Sequence, residues 1–344
     1  MTETLNVALL GYGMAGKAFH APLVAATPGL RLHSVVSRNA AAVMQDWPDA
    51  RVLVDPQAAF ANPEIDVVVI ATPDDLHAPQ GHAALAAGKH VVIDKPFAAS
   101  LQEAESLAAH AAQAGRVLSV FHNRRWDSDF LTLGALVASG QLGRVSQFES
   151  HFDRFRPVSG DRWKDRRRAG VWFDLGPHLV DQALCLFGAP LAIYADLGRQ
   201  RPDAPAIDYF HVLLRYERLR VILHASHLTL NDGLRFAVHG DRGSFIKHGL
   251  DPQAQALHGG QRPGGVGWGV DPRPGELMTV ADGKRRPTGF ESVSGDYSAF
   301  YRGLHEAIVG GGPNPASPEQ ALAVMRVLEL GLQSVDSHGE LAFS

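Results

Sequence analysis

The stretch that most restricts what this chain can fold into is its first strand, turn and helix. Leu5-Asn6-Val7-Ala8-Leu9-Leu10 is an apolar run of strand length, and Gly11-Tyr12-Gly13-Met14-Ala15-Gly16 follows it directly. Lys17 to Ala26 then reads as a helix and Leu30 to Val36 as a second strand. A glycine-rich turn between a strand and a helix N-terminus suits a dinucleotide pyrophosphate. Gly11 permits the tight turn, Gly13 lets backbone N–H groups approach the phosphates, and Gly16 lets helix and strand pack closely. The helix N-terminus, entered through Met14 and Ala15, turns free amides and a positive dipole end toward the anion. A glycine turn alone carries little weight; here the flanking strands and the helix are all in place.

The end of the second strand bears on the choice of cofactor. A site for NAD usually places Asp or Glu there to bind the ribose 2′-hydroxyl. This chain has Ser37-Arg38 instead, and no acid until Asp46. A hydroxyl and a guanidinium suit a 2′-phosphate, so NADP(H) is expected ahead of NAD(H). Arg38 would otherwise be read as a solvated loop residue.

Strand and helix then alternate. Ala40 to Asp46 reads as helix, Arg51 to Val54 as a short strand, and Asp66 to Ala71 as a buried strand rich in Val and Ile. Thr72-Pro73-Asp74-Asp75 is a turn, and His77 opens a helix through Ala87 that Gly88 closes. His90 to Ile93 is the next strand and leads into Asp94-Lys95-Pro96, where the X–Pro bond can be cis. Ser100 and Glu103 form a capping box for a helix to Ala114, and Val117 to Phe121 is a last parallel strand. Such alternation makes a doubly wound sheet, whose ligands gather at the carboxyl ends of its strands. Thr72, Pro73, His77 and Lys95 all fall at such ends. A protonated Lys95 can hydrogen-bond a substrate oxygen and stabilise charge on it, although most loop lysines are merely solvated.

A chain of 344 residues has room for about two domains, and the first is expected to span residues 1–122, the second 123–344. Asp127 to Ser139 reads as helix and Val145 to Phe155 as a strand. Asp153 to Gly170 carries seven basic residues, with three aspartates, Asp153, Asp161 and Asp165, in the same stretch. With a net charge of −4, nucleic-acid and general membrane binding are not expected. Trp172-Phe-Asp174-Leu-Gly-Pro177-His178 is the second chemical motif. Pro177 is expected in the first turn of a helix reaching Phe187, with Asp174 at or just before its start. Asp174 and His178 can then share one face, so that a carboxylate orients an imidazole suited to proton exchange near neutral pH. The plainer reading is an N-cap and an exposed histidine.

Several strands follow from Leu191 to Ile246, expected to pair antiparallel. Gly249 to Thr288, dense in Gly and Pro, reads as a long loop, and Asp296 to Ile308 and Pro318 to Ser337 read as helices. The single cysteine, Cys185, excludes an internal disulfide, and no metal site is expected because the histidines lack ligand spacing. No leader or bilayer-length apolar run is read, so the chain is expected to be soluble and cytoplasmic.

Together, Gly11-Tyr-Gly13-Met-Ala-Gly16, Ala71-Thr-Pro73, Asp94-Lys95-Pro96 and Asp174-Leu-Gly-Pro-His178 resemble the glucose–fructose oxidoreductase/inositol dehydrogenase (Gfo/Idh/MocA) family over nearly the whole chain. Phe121-His-Asn-Arg-Arg-Trp-Asp and the late Gly/Pro-rich stretch are similar to its bacterial NADP-dependent, scyllo-inositol dehydrogenase-like branch. The resemblance implies an α/β fold: an N-terminal Rossmann doubly wound parallel sheet, then an α+β domain with an open, mostly antiparallel sheet that joins subunits into a dimer or tetramer. It implies hydride transfer between NADP(H) and a secondary alcohol of a polyol or sugar, with Lys95, Asp174 and His178 as the catalytic set. By the same resemblance Asn123, Arg162, Trp163 and Tyr297 border the nicotinamide or substrate. Asp94 departs from the family's glutamate and shortens the carboxylate. Two other readings stay open: an NADP-responsive regulator without turnover, and a reductase of a non-sugar substrate.

Overall fold

A computed structural model of the chain describes residues 3–159, 170–230, 233–281 and 284–343. The first strands are β1 (Leu5–Leu10), β2 (Leu30–Val36), β3 (Arg51–Leu53), β4 (Val67–Ile70), β5 (His90–Ile93) and β6 (Leu118–Val120). They form one sheet in the order β3-β2-β1-β4-β5-β6, all pairs parallel. The order reverses at β1/β4, the switch point where doubly wound sheets bind dinucleotides. All four residues of β4 are buried, as a central parallel strand requires.

The helices between these strands are α1 (Ala21–Ala26), α2 (Ala40–Asp46), α3 (Pro56–Phe60), α4 (His77–Ala86) and α5 (Leu101–Ala114). The first begins earlier than expected: helical backbone starts at Met14 and runs through a π-turn, Gly16–His20, into α1. The cap of α5 forms with its return bond shifted by one residue, to Ala99 rather than the Ser100 N-cap. Ser100 Oγ accepts the Glu103 N–H at 3.2 Å, Glu103 reaches back to the Ala99 N–H, and Gly115 ends the helix at φ +60°. The short α3 lacks a periodic signal and was not expected; Asp55 caps it and Pro56 opens it.

Onward in the chain come α6 (Ser128–Ala138), β7 (Val145–His151), α7 (Gly170–Phe187), β8 (Ala192–Gly198), β9 (Tyr209–Arg215), β10 (Arg220–Ser226), β11 (Leu234–Gly240) and β12 (Gly243–His248). After these lie α8 (Gln253–His258), β13 (Gly275–Ala281), β14 (Lys284–Phe290), α9 (Ser298–Val309), α10 (Pro318–Ser337) and β15 (Leu341–Ala342). The second sheet has the order β14-β13-β12-β11-β7-β10-β9-β8-β15. Its pairs are antiparallel except β7 with β10. On β9, Phe210, Val212 and Leu214 are buried and alternate with half-exposed residues. Trp172 of α7 meets Phe210 edge-on, so α7 covers that face.

Two expectations are corrected. Gly249 to Thr288 is not one loop, because it supplies α8 and the hairpin β13–β14. Pro287 and Gly289 obscured the last strand; they are tolerated because β14 is a sheet edge. Pro177 does not stand in the first turn of its helix. Residues from Gly170 onward are already helical, so Pro177 lies inside α7 and offers no N–H to the Phe173 carbonyl.

The chain divides into two compact units, residues 1–126, 253–268 and 296–325 in one, and 127–252, 269–295 and 326–344 in the other. In the first, Leu257, Tyr297, Phe300, Tyr301 and Leu304 complete an apolar core begun by β1, β2 and α1. Among the described residues no helix is long and apolar enough to cross a membrane.

Candidate active site

The glycine turn has the steric signature its role demands. Gly11 adopts φ +93°, and a Cβ there would lie 2.7 Å from the Ala71 carbonyl oxygen of the turn after β4. A Cβ at Gly16 would stand 2.0 Å from the Gly11 oxygen, so the π-turn and the glycine turn pack without side-chain room. Gly13 is different: a Cβ there would meet nothing within 4 Å. Open space at the middle glycine, with Met14 exposed at the start of the helix, fits an anionic group approaching the backbone. On this observation the turn fits a dinucleotide pyrophosphate.

At the end of β2, Ser37 Oγ accepts the Asn39 N–H at 3.0 Å and Arg38 is exposed. Asp46, the first acid beyond them, is engaged elsewhere. Tyr12 of the glycine turn donates its hydroxyl to Asp46 at 2.8 Å, and the Lys17 ammonium lies 2.8 Å from the same oxygen. The Lys17 bond holds the Asp46 pKa low, against its partial burial. Arg262 stacks 3.9 Å over the Trp47 ring beside this group. His258 Nε2 is 3.3 Å from Met14 Sδ, and its ring meets Phe19 edge-on. Sequence reasoning missed these late residues at the glycine turn, because no local pattern marks a contact across more than two hundred residues.

Lys95 and Asp94 follow β5, half-buried, and the Lys95–Pro96 peptide is cis. Asp94 Oδ1 accepts the Lys95 N–H at 2.9 Å and lies 3.7 Å from His20 Nε2. The other nitrogen of His20 is 2.6 Å from the Tyr301 hydroxyl. Burial alone would raise the Asp94 pKa. The nearby His20 ring, with Lys95 and His77, outweighs it and holds the carboxyl at about 2. The shortened carboxylate therefore still has a partner. His77, expected against the cofactor, is buried with Nδ1 2.9 Å from the Pro96 oxygen and Nε2 3.0 Å from the Thr72 oxygen. It ties the Thr72-Pro73 turn to the Lys95 loop, and burial lowers its pKa. Thr72 donates its hydroxyl to Gln80 at 2.8 Å. Asn123 opens a 3-10 turn, Asn123–Trp126, and is buried. Tyr297 is wholly buried in the core of its unit.

In the other unit, Asp174 and His178 stand one turn apart on the continuous α7, Asp174 partly exposed and His178 largely buried. Trp172 anchors this helix by donating its indole N–H to the Leu328 oxygen at 3.0 Å. Arg162 and Trp163 lie outside the described residues.

A glycine cradle at the switch point of a doubly wound sheet, followed by an α/β unit with a helical Asp/His pair, defines a nicotinamide-dependent oxidoreductase. Residues 5–122 match the family model described as the NAD-binding Rossmann fold of the Gfo/Idh/MocA oxidoreductases, and residues 135–342 match that of their C-terminal alpha/beta domain. The chain belongs to the Gfo/Idh/MocA oxidoreductase family and is a dehydrogenase or reductase. It is 48% identical over the full length of both chains to the uncharacterized oxidoreductase YdgJ of Escherichia coli K12. It is 36% identical to the scyllo-inositol 2-dehydrogenase (NADP(+)) IolW of Bacillus subtilis strain 168, covering 96% of this chain and 94% of that one. A solved structure from Yersinia pestis superposes with a TM-score of 0.97 at 48% identity, covering 100% of this chain and 98% of the other.

Proposed function

We propose that this chain transfers a hydride between NADP(H) and a secondary alcohol or ketone carbon of a polyol or sugar of the inositol type. The observation that carries the cofactor half is the end of β2: Ser37 and the exposed Arg38 stand where a ribose-binding acid would, and Asp46 is committed to Tyr12 and Lys17. The substrate half is supported by the likeness to IolW, the scyllo-inositol 2-dehydrogenase (NADP(+)) of Bacillus subtilis.

Gly11, Gly13, Met14, Ala15 and Gly16 would hold the pyrophosphate, Ser37 and Arg38 the 2′-phosphate, and Thr72, Pro73, Asn123 and Trp163 the nicotinamide side. When bound, the nicotinamide accepts or gives the hydride at C4. Lys95 holds the substrate oxygen through its ammonium and stabilises charge developing on it. His178 takes the hydroxyl proton in oxidation and returns it in reduction. Asp174, one helical turn earlier, orients the imidazole, and His77 positions the two loops it ties. The second sheet is assigned to subunit contact in a dimer or tetramer.

A panel of inositols, aldoses and their keto forms, run with NADP⁺ and NAD⁺ or the reduced cofactors, tests this by absorbance of the reduced nicotinamide. Turnover of a cyclic polyol or sugar with NADP(H) favoured is expected. Turnover confined to non-hydroxylic carbonyl or imine substrates would overturn the substrate class. Cofactor binding without turnover of any class would favour a regulator.

A further inference from the structure

The central strands of the second sheet place three histidines in one row. Register sets His151 of β7 beside His224 of β10, and His224 opposite His211 of β9. On all three strands these residues are half-exposed, while their neighbours, such as Ser150, Leu223 and Phe210, are buried on the face toward α7. The row therefore lies on the opposite face. Asp153, two residues beyond His151, turns its carboxylate to both rings. Its Oδ2 is 3.6 Å from His151 Nδ1 and its Oδ1 is 3.4 Å from His224 Nε2. The Ser226 N–H donates to the same Oδ1 at 2.9 Å and fixes the carboxylate.

These separations suit one small cation. Zinc bonds of about 2.0–2.2 Å to nitrogen and oxygen set neighbouring ligands of a tetrahedron roughly 3.3–3.5 Å apart. The three groups offer one ligand atom each, all within 4.8 Å of one another. The nitrogen of His151 turned away from the shared centre is also held: Nε2 lies 3.1 Å from Glu149 Oε2, while Gln147 donates to the other Glu149 oxygen at 2.6 Å. A carboxylate on the far nitrogen of an imidazole is the usual outer partner of a metal ligand. Imidazole and carboxylate donors without thiolate suit a divalent ion such as zinc.

We propose that His151, Asp153 and His224 form a binding site for a divalent transition-metal ion of the zinc type, with Glu149 fixing the His151 ring. The ion joins β7 to β10, the parallel pair in an otherwise antiparallel sheet, on the face opposite α7. The site stands on its own observations and does not depend on the proposed substrate. Sequence spacing hides it, since His224 lies 71 residues beyond Asp153 and only the sheet register brings them together.

The test is calorimetric titration of Zn²⁺ into tag-free, chelator-stripped, full-length protein, with Co²⁺ absorption as a second readout. One equivalent of bound Zn²⁺, a raised thermal midpoint and the visible bands of a low-coordinate Co²⁺ site are expected. Asp153→Asn and His224→Gln should lose this binding, Glu149→Gln should weaken it roughly 10–100-fold, and His248→Ala should retain it. Wild-type protein that takes up no stoichiometric Zn²⁺ would overturn the site, as would binding that survives both ligand substitutions. Should those variants fail to fold, the wild-type Co²⁺ spectrum decides, a fully hydrated ion counting against the proposal.

Discussion

Asp94 and His20 form a couple beneath the candidate site, with carboxylate oxygen and ring nitrogen 3.7 Å apart and the far side of the ring on the Tyr301 hydroxyl. His20 ends the π-turn behind the glycine turn, whereas Asp94 follows β5 and accepts the backbone N–H of Lys95. One contact therefore joins the segment shaped for phosphate to the segment carrying the proposed ammonium.

The couple makes stability depend on acid. The folded Asp94 carboxyl, at about 2, lies below its ordinary value, so its contribution is complete above about pH 4 and fades as pH falls toward 2. That contribution amounts to about 2 kcal/mol near neutrality. Urea denaturation of Asp94→Asn should show a loss of this order at pH 7 that narrows in acid. A loss unchanged between pH 7 and pH 3 would show that the carboxylate's charge is not its source.

The glycines of the turn should separate folding from binding. Gly16→Ala forces a Cβ against the Gly11 oxygen at 2.0 Å, so the thermal midpoint should fall by several degrees. Gly13→Ala meets open space and should unfold within about a degree or two of wild type. It should nevertheless bind reduced cofactor at least about tenfold more weakly by fluorescence titration, because the methyl occupies the approach to the backbone amides. Unchanged affinity in Gly13→Ala would remove this turn from the cofactor site.

Arg38→Ala should raise the Kd for NADPH by roughly 10–100-fold, the worth of one charge-assisted bond, and leave that for NADH nearly unchanged. Equal losses for both cofactors would end the assignment of Arg38 to a 2′-phosphate.

His178→Ala should lower kcat by roughly 10²–10⁴-fold, the range for a lost proton-transfer group, with cofactor affinity intact. Wild-type turnover in this variant would exclude the imidazole from the chemistry.

Local chemistry made the first sheet legible. The strand–turn–helix from Leu5, the Val/Ile run ending at Ile70 and the Ser100/Glu103 cap each contain their own signal within a few residues. α7 was harder. Pro177 suggested a helix start, yet the helix passes through it, supported by Trp172 and Leu175 buried in the core and by the indole bond to Leu328. The hairpin β13–β14 was hidden for a related reason, since an edge strand accepts the proline and glycine that a central strand rejects. Asp94 was visible as a residue, but its neighbour His20 and the Tyr301 hydroxyl behind that ring were not. Nothing near Gly16 announces a hydrogen bond to a residue 281 positions away. Arg262 and His258 at the glycine turn, and His224 beside His151, were obscured by the same distance.

Tyr297, Phe300, Tyr301 and Leu304 fill the core that β1, β2 and α1 leave open, and this has a consequence during synthesis. When the last strand of the first sheet, ending at Val120, has just been translated, Tyr297 is still 177 codons away. The nascent nucleotide-binding half must wait with an apolar flank uncovered until α9 emerges, a window in which a chaperone or aggregation can compete for it. A gene fragment stopping after β6 would make that waiting state permanent.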